Sequence, residues 1–165
     1  MISSLHEINQ MLGHIGCRLG ITHPEIYKMQ VQAIAEAAME VCRDGGKVNV
    51  EIEIPLVGTV REFTHMKKLV KGVLDSYGDD VNFEYKIGTM IEVPRACLTA
   101  NELAREADFF SFGTNDLTQM TFGYSRDDAG SFIPKYMDLG ILESDPTSTI
   151  DQDGVGKLMR ICVEL

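Results

Sequence analysis

The sequence predicts an α/β chain built on a parallel sheet, and three observations carry that reading. Runs of strand character at residues 48–54, 83–91 and 109–112 each end in Gly or Pro punctuation. Amphipathic stretches of helical period lie between them. Polar residues then crowd behind the third run, at Gly113–Asp116, where α/β folds bind ligands beyond the carboxyl ends of their strands. Strand, helix, strand alternation means βα units with right-handed crossovers. Three strands are evident, whereas a closed (β/α)₈ barrel needs eight and usually about 250 residues.

The elements follow in order. Residues 1–22 are punctuated by glycine, show little periodicity and read as a loop with one turn of helix at most. Thr22-x-x-Glu25 has the form of a capping box, with Pro24 in the first turn where its missing N–H costs nothing. From there Tyr27, Val31, Ile34, Ala38 and Val41 predict one apolar helix face, flanked by Ala35, Met39 and Cys42. Gly45-Gly46 supplies a left-handed end. Val48, Val50, Ile52 and Ile54 alternate with Asn49, Glu51 and Glu53, and Pro55-Leu56-Val57-Gly58 closes that strand. A second box at Thr59-x-x-Glu62 opens a helix whose stripe is Phe63, Met66, Val70, Val73 and Tyr77. Lys67, Lys68 and Lys71 read as its solvated face. The strand of residues 83–91 runs to Glu92-Val93-Pro94, and a third box, Thr99-x-x-Glu102, starts a short helix through Ala107. The Phe109–Phe112 run reads as a strand buried on both faces. A polar connection at 143–146 precedes a last amphipathic helix with Val155, Leu158, Met159 and Cys162 as its stripe.

Bulk properties exclude several classes. An apolar share of 44% over 165 residues is enough for the core of one domain. No apolar run approaches the length of a membrane span, and the N-terminal MISSLHEINQ lacks the basic start and apolar centre of a secretory signal. A net charge of -10 argues against a nucleic-acid partner. Cys17, Cys42, Cys97 and Cys162 have no C-x-x-C spacing, so reduced thiols in a cytoplasmic or organellar compartment are expected. His6, His14, His23 and His65 show no metal-ligand spacing with them.

Ser111-Phe112-Gly113-Thr114-Asn115-Asp116, followed by Gln119 and then Arg126, resembles the signature of the phosphoenolpyruvate-utilising enzymes. A strand followed by an Asx-type turn would explain Asn115-Asp116 alone, not the whole run. GTMIEVPRACLTA, FGYSRDDAGSFIP and IDQDGVGKL extend the likeness along nearly the whole chain, and their wording favours the dikinase branch over the synthase and phosphotransferase branches. Near the start the family pattern L-G-x-R-[GA]-x-R meets Leu12, Gly13, His14, Ile15, Gly16, Cys17 and Arg18. Ile15 therefore replaces an arginine that contacts phosphate in the family, while the second arginine is kept as Arg18.

The resemblance implies residues 1–165 as part of a phosphoenolpyruvate/pyruvate-binding (β/α)₈ TIM barrel, about strands four to six with their helices. It implies Mg²⁺ held by Glu92 and Asp116, and substrate bound by Glu92, Gly113, Thr114, Asn115, Asp116 and Arg126. The chemistry suits these types: two carboxylates at the ends of neighbouring strands can share a cation. Arginine can take a phosphate through two parallel hydrogen bonds, and glycine allows close backbone approach. Alone, Arg126 would be an exposed ion pair with Asp127 or Asp128. The implied parent reaction interconverts ATP, phosphate and pyruvate with AMP, diphosphate and phosphoenolpyruvate through a phosphohistidine. Its partners are the phosphohistidine and nucleotide-binding domains of a homodimeric enzyme. The proton-donating cysteine is expected beyond residue 165, so Cys97 is not given that role. The rival reading from another class is an inactive remnant or interaction module.

Overall fold

The computed structural model describes residues 9–165, so His6 lies outside the described part. Eleven elements carry the fold: α1 (Cys17–Thr22), α2 (Pro24–Arg43), β1 (Asn49–Ile54), α3 (Val60–Asp75), β2 (Glu84–Ile91), α4 (Pro94–Leu98), α5 (Ala100–Leu103), β3 (Phe110–Phe112), α6 (Thr114–Phe122), α7 (Ile133–Asp138) and α8 (Val155–Glu164). The three strands form one parallel sheet in the order β1-β2-β3. Asn49–Ile54 lies opposite Glu84–Thr89, and Thr89–Ile91 lies opposite Phe110–Phe112. The α/β class and the parallel sheet are as the sequence predicts, and the sheet is compatible with part of an α/β barrel.

Alternation explains which face of the sheet is covered. Ile52 and Ile54 of β1 and Ile87 and Ile91 of β2 are buried against Phe63, Met66, Val70 and Leu74 of α3. The opposite face carries Glu51 and Glu53 on β1 and Met90 on β2. The capping box of α3 is complete. Thr59 Oγ1 accepts the Glu62 N–H at 3.2 Å, and Glu62 Oε2 accepts the N–H groups of Thr59 at 2.8 Å and Gly58 at 2.9 Å. Such a cap contributes about 1 kcal/mol, which fixes where α3 starts and hence where β1 must stop.

Several expectations are corrected. Within the expected loop of residues 1–22, the described part holds a helix, α1, preceded by a 3₁₀ turn at Gln10–Leu12. Its start is tied to the end of β1, where the Cys17 N–H donates to the Pro55 carbonyl at 3.1 Å, a contact invisible to periodicity. Thr22 is no cap of α2. Its hydroxyl donates back to the Arg18 and Leu19 carbonyls, and His23 occupies the N-cap, with Pro24 opening the helix as expected. The buried face of α2 is Val31, Ala35, Ala38 and Met39, whereas Ile34 and Val41 are 40% and 46% exposed.

Thr99 is not a side-chain cap either. Its hydroxyl donates to the Arg95 carbonyl at 3.0 Å because a helix, α4, already runs up to it. The helix it precedes, α5, ends at Leu103 rather than Ala107. Phe109–Phe112 is half-buried, since β3 is an outer strand of the sheet. Lys67 does not belong to a free solvated face, because its ammonium donates to the Glu106 carbonyl and ties α3 to the turn before β3. The last helix and its Val155–Cys162 stripe are as predicted. Asp151 caps it by accepting the N–H groups of Gly154 at 2.9 Å and Val155 at 3.0 Å.

Candidate functional site

Glu92 follows β2 directly and is 4% exposed. Its Oε1 accepts the Leu56 N–H at 2.6 Å, so the end of β1 orients a side chain carried by the end of β2. Next to it, beyond β3, Gly113 donates its N–H to the Ile91 carbonyl at 3.0 Å. A Cβ at Gly113 would stand 2.4 Å from Glu92 Oε2 and 2.6 Å from Glu92 Cβ. The glycine is therefore required because Glu92 fills the space in front of it. Directly after this contact α6 begins, and its first turn places Asp116, 9% exposed, against Glu92.

Two carboxyl groups so close and so dry cannot both ionise easily. Burial pushes the Glu92 carboxyl up to about 7. The Leu56 N–H pulls the other way, while the charge and hydrogen bond of Asp116, and then the charge of Glu53, add to the rise. At neutral pH the Glu92 carboxyl is therefore protonated part of the time. A divalent cation is the natural substitute for that proton. Magnesium commonly takes one or two protein carboxylates and completes its shell with water and substrate oxygens, so this donor pair fits it. Among the described residues no group of three or more His, Cys, Asp or Glu gathers as a metal cluster.

Thr114, Asn115 and Arg126 line a cavity of about 240 Å³, together with Thr118, Gln119 and Tyr124 and a wall at residues 146–150. Glu92 and Asp116 are not among its lining residues. The first turn of α6 thus carries both parts of the site, Asp116 beside Glu92 and Thr114 and Asn115 on the cavity. Asn115 and Arg126 are exposed. The Arg126 backbone is pinned where its N–H donates to Gln119 Oε1 at 2.8 Å. The turn before it is closed by Gly123 at φ 68° and by the Tyr124 N–H on the Gln119 carbonyl at 3.1 Å, a helix end that glycine favours. Among the described residues the one ion pair is His23–Glu25, so the Arg126 guanidinium is not tied to Asp127 or Asp128.

Ile15, the position of the expected lost arginine, packs half-buried against the apolar core. Arg18 holds its own loop by donating to the Gly13 carbonyl at 2.9 Å and the Met11 carbonyl at 3.3 Å. Burial pushes the Cys17 and Cys97 thiols up to about 12, as suits core thiols.

Sequence reasoning missed Leu56, Gln119 and the 146–150 wall. Only Gln119 left a signal, through its place in the signature run. Strand alternation puts Glu53 on the outward side, yet its Oε1 is buried without a hydrogen-bond partner, as is Ser111 Oγ.

Comparison with known proteins decides the family. Residues 1–164 match the family pattern described as PEP-utilising enzyme, PEP-binding domain. The chain belongs to the phosphoenolpyruvate-utilising enzymes. It is 53% identical over 165 residues to the chloroplastic pyruvate, phosphate dikinase of Mesembryanthemum crystallinum, covering 99% of the chain and 17% of that relative. The corresponding enzyme of Flaveria trinervia is 54% identical over 165 residues, with the same shares covered. Pyruvate, phosphate dikinase 2 of Zea mays is 54% identical over 167 residues, covering 99% of the chain and 19% of the relative. The chain thus spans less than a fifth of the length of these relatives. No helix of the described residues is long and apolar enough to cross a membrane.

Proposed function

We propose that this chain forms the phosphoenolpyruvate/pyruvate- and magnesium-binding part of a pyruvate, phosphate dikinase. Its sheet would supply strands four to six of the eight-stranded barrel. The observation that carries the reading is the buried Glu92–Asp116 pair at the carboxyl ends of neighbouring βα units, backed by Asn115 and Arg126 across one helical turn.

In that reading Glu92 and Asp116 would hold Mg²⁺, which when bound supplies a Lewis acid for the enolate and carboxylate oxygens. The residues of the chain do the rest. Glu92 would give up its proton where the cation takes its place beside Asp116. Asn115 donates its amide to the substrate carboxylate, and the Thr114 backbone approaches it from the same turn. Arg126, anchored through Gln119, takes the phosphate with two parallel hydrogen bonds. The parent reaction would convert ATP, phosphate and pyruvate to AMP, diphosphate and phosphoenolpyruvate through a phosphohistidine. That requires phosphohistidine and nucleotide-binding domains as partners, in a homodimer of the plastid or cytoplasm.

The test is manganese relaxation on the purified chain and on Asp116→Asn, with and without phosphoenolpyruvate. The expected result is weak binding, around millimolar, that falls at least tenfold in the variant. Equal binding by both proteins would remove the carboxyl pair from the reading.

A further inference from the structure

Leu56 is the one non-glycine residue among those described with a positive φ, at 57°. The left-handed region disfavours a residue with a Cβ, and such outliers persist where the surroundings over-determine them. Leu56 is no surface turn residue. It is 3% exposed, one position past Pro55, which has no N–H to give. Its side chain packs on Gly16, where a Cβ would come within 3.0 Å of it. Its carbonyl accepts the Cys17 thiol at 3.3 Å. The pairing of β1 with β2 has already ended at Ile54–Thr89. The Leu56 N–H is therefore free of the sheet, and it goes to Glu92 Oε1.

An acceptor this buried has few rotamers once one oxygen is held. Glu92 fills the space in front of Gly113 on one side, and the Leu56 donor holds it on the other. We propose that Leu56 is a positioning residue, whose left-handed backbone aims one N–H at Glu92 so that the rest of the carboxyl faces Asp116. This rests on the reading of Glu92 and Asp116 as cation ligands, and it adds the device that pre-sets one of them. A turn that merely closed β1 would need the side chain and the chain reversal, but not the donor.

The experiment separates the donor from the side chain. Cys42 and Cys97 flank residue 56, so ligation of segments 1–41, 42–96 and 97–165 can install the α-hydroxy analogue of leucine at 56. That replaces one N–H by oxygen and keeps the side chain. A second variant, Leu56→Gly, keeps the N–H and tolerates the backbone angle while losing the side chain. The readouts are the NMR order parameter of the Glu92 γ-methylene and the manganese affinity. The ester chain is expected to lose order at Glu92 and bind manganese about tenfold more weakly. Leu56→Gly is expected to be less stable but to keep both readouts near wild type. Unchanged Glu92 order in the ester chain overturns the proposal, and so does equal loss of order in Leu56→Gly. Absence of manganese binding in the wild type would defeat the metal reading alone, because the order parameter still decides the role of Leu56.

Discussion

Gly113→Ala tests the geometry of the site most directly. The added methyl would lie 2.4 Å from Glu92 Oε2, 2.6 Å from Glu92 Cβ and 2.8 Å from Met90 Sδ. An unstrained carbon contact sits at about 3.5–4.0 Å, so something must move by roughly 1 Å. Glu92 Oε2 could swing away, but only by turning the carboxyl whose Oε1 accepts the Leu56 N–H. Glu92 Cβ cannot swing at all, because it is fixed to the backbone next to β2. The ends of β2 and β3 must therefore part. Overpacking of this kind costs about 1–3 kcal/mol. For a chain of this size that lowers Tm by roughly 2–12 °C. Cation binding should fall at least tenfold, since both the spacing and the orientation of Glu92 change. Thermal unfolding by circular dichroism and manganese relaxation on the same samples check the two effects. Wild-type Tm together with wild-type affinity would refute the reasoning.

Three further outcomes are expected of the same structure. Glu92 is raised from 4.5 to about 7 in the fold, so its contribution to stability is full below pH 4.5 and is lost as pH rises through about 7. Without metal the chain should be more stable at pH 5 than at pH 8, by a few kcal/mol at most, and Mg²⁺ should stabilise it more at pH 8; urea titrations at the two pH values read this out, and equal midpoints would contradict it. Arg126→Ala should weaken phosphoenolpyruvate binding by about tenfold or more, as loss of a charge-assisted contact costs ~1.5–3 kcal/mol, with manganese affinity unchanged; calorimetric titration that finds equal affinity would remove Arg126 from the site. Thr59→Ala should cost about 1 kcal/mol of stability through the lost cap of α3, measured by denaturant unfolding, with no change in ligand binding.

The strands are legible in the sequence because their chemistry is local. Val50, Ile52 and Ile54 alternate against acidic residues, and the structure pairs that run with the next in parallel. The Thr59 box is equally legible, since both halves of it lie within four residues. Thr22 and Thr99 have the same spacing and fail as caps, because each is preceded by a helix whose carbonyls capture the hydroxyl. Short helices such as α1 and α6 carry too few turns for a period to emerge. α6 in particular hides inside a run whose residues stand out for their chemistry. At the site, the family likeness implies that Glu92 and Asp116 converge, and the structure does bring them together. Which residues beside Asp116 line the cavity is not legible, because that depends on where α6 starts. Nothing in a leucine announces a left-handed backbone, so the sequence shows Leu56 only as part of a strand closure.

The position of α6 bears on how such a site can change over generations. Asn115 and Asp116 are neighbours in the chain, yet Asn115 lines the cavity while Asp116 is buried beside Glu92. At 3.6 residues per turn each added or deleted residue rotates the downstream side chains by about 100°. A one-codon deletion between Gly113 and Asp116 would carry the carboxylate toward the cavity and leave Glu92 facing another side chain. Point substitutions here trade one chemistry for another, whereas length changes scramble both at once. Inheritance should therefore hold the residue count from Gly113 to Asp116 more tightly than any single side chain within it, and tolerate gaps in turns such as Leu139–Glu143, away from the sheet.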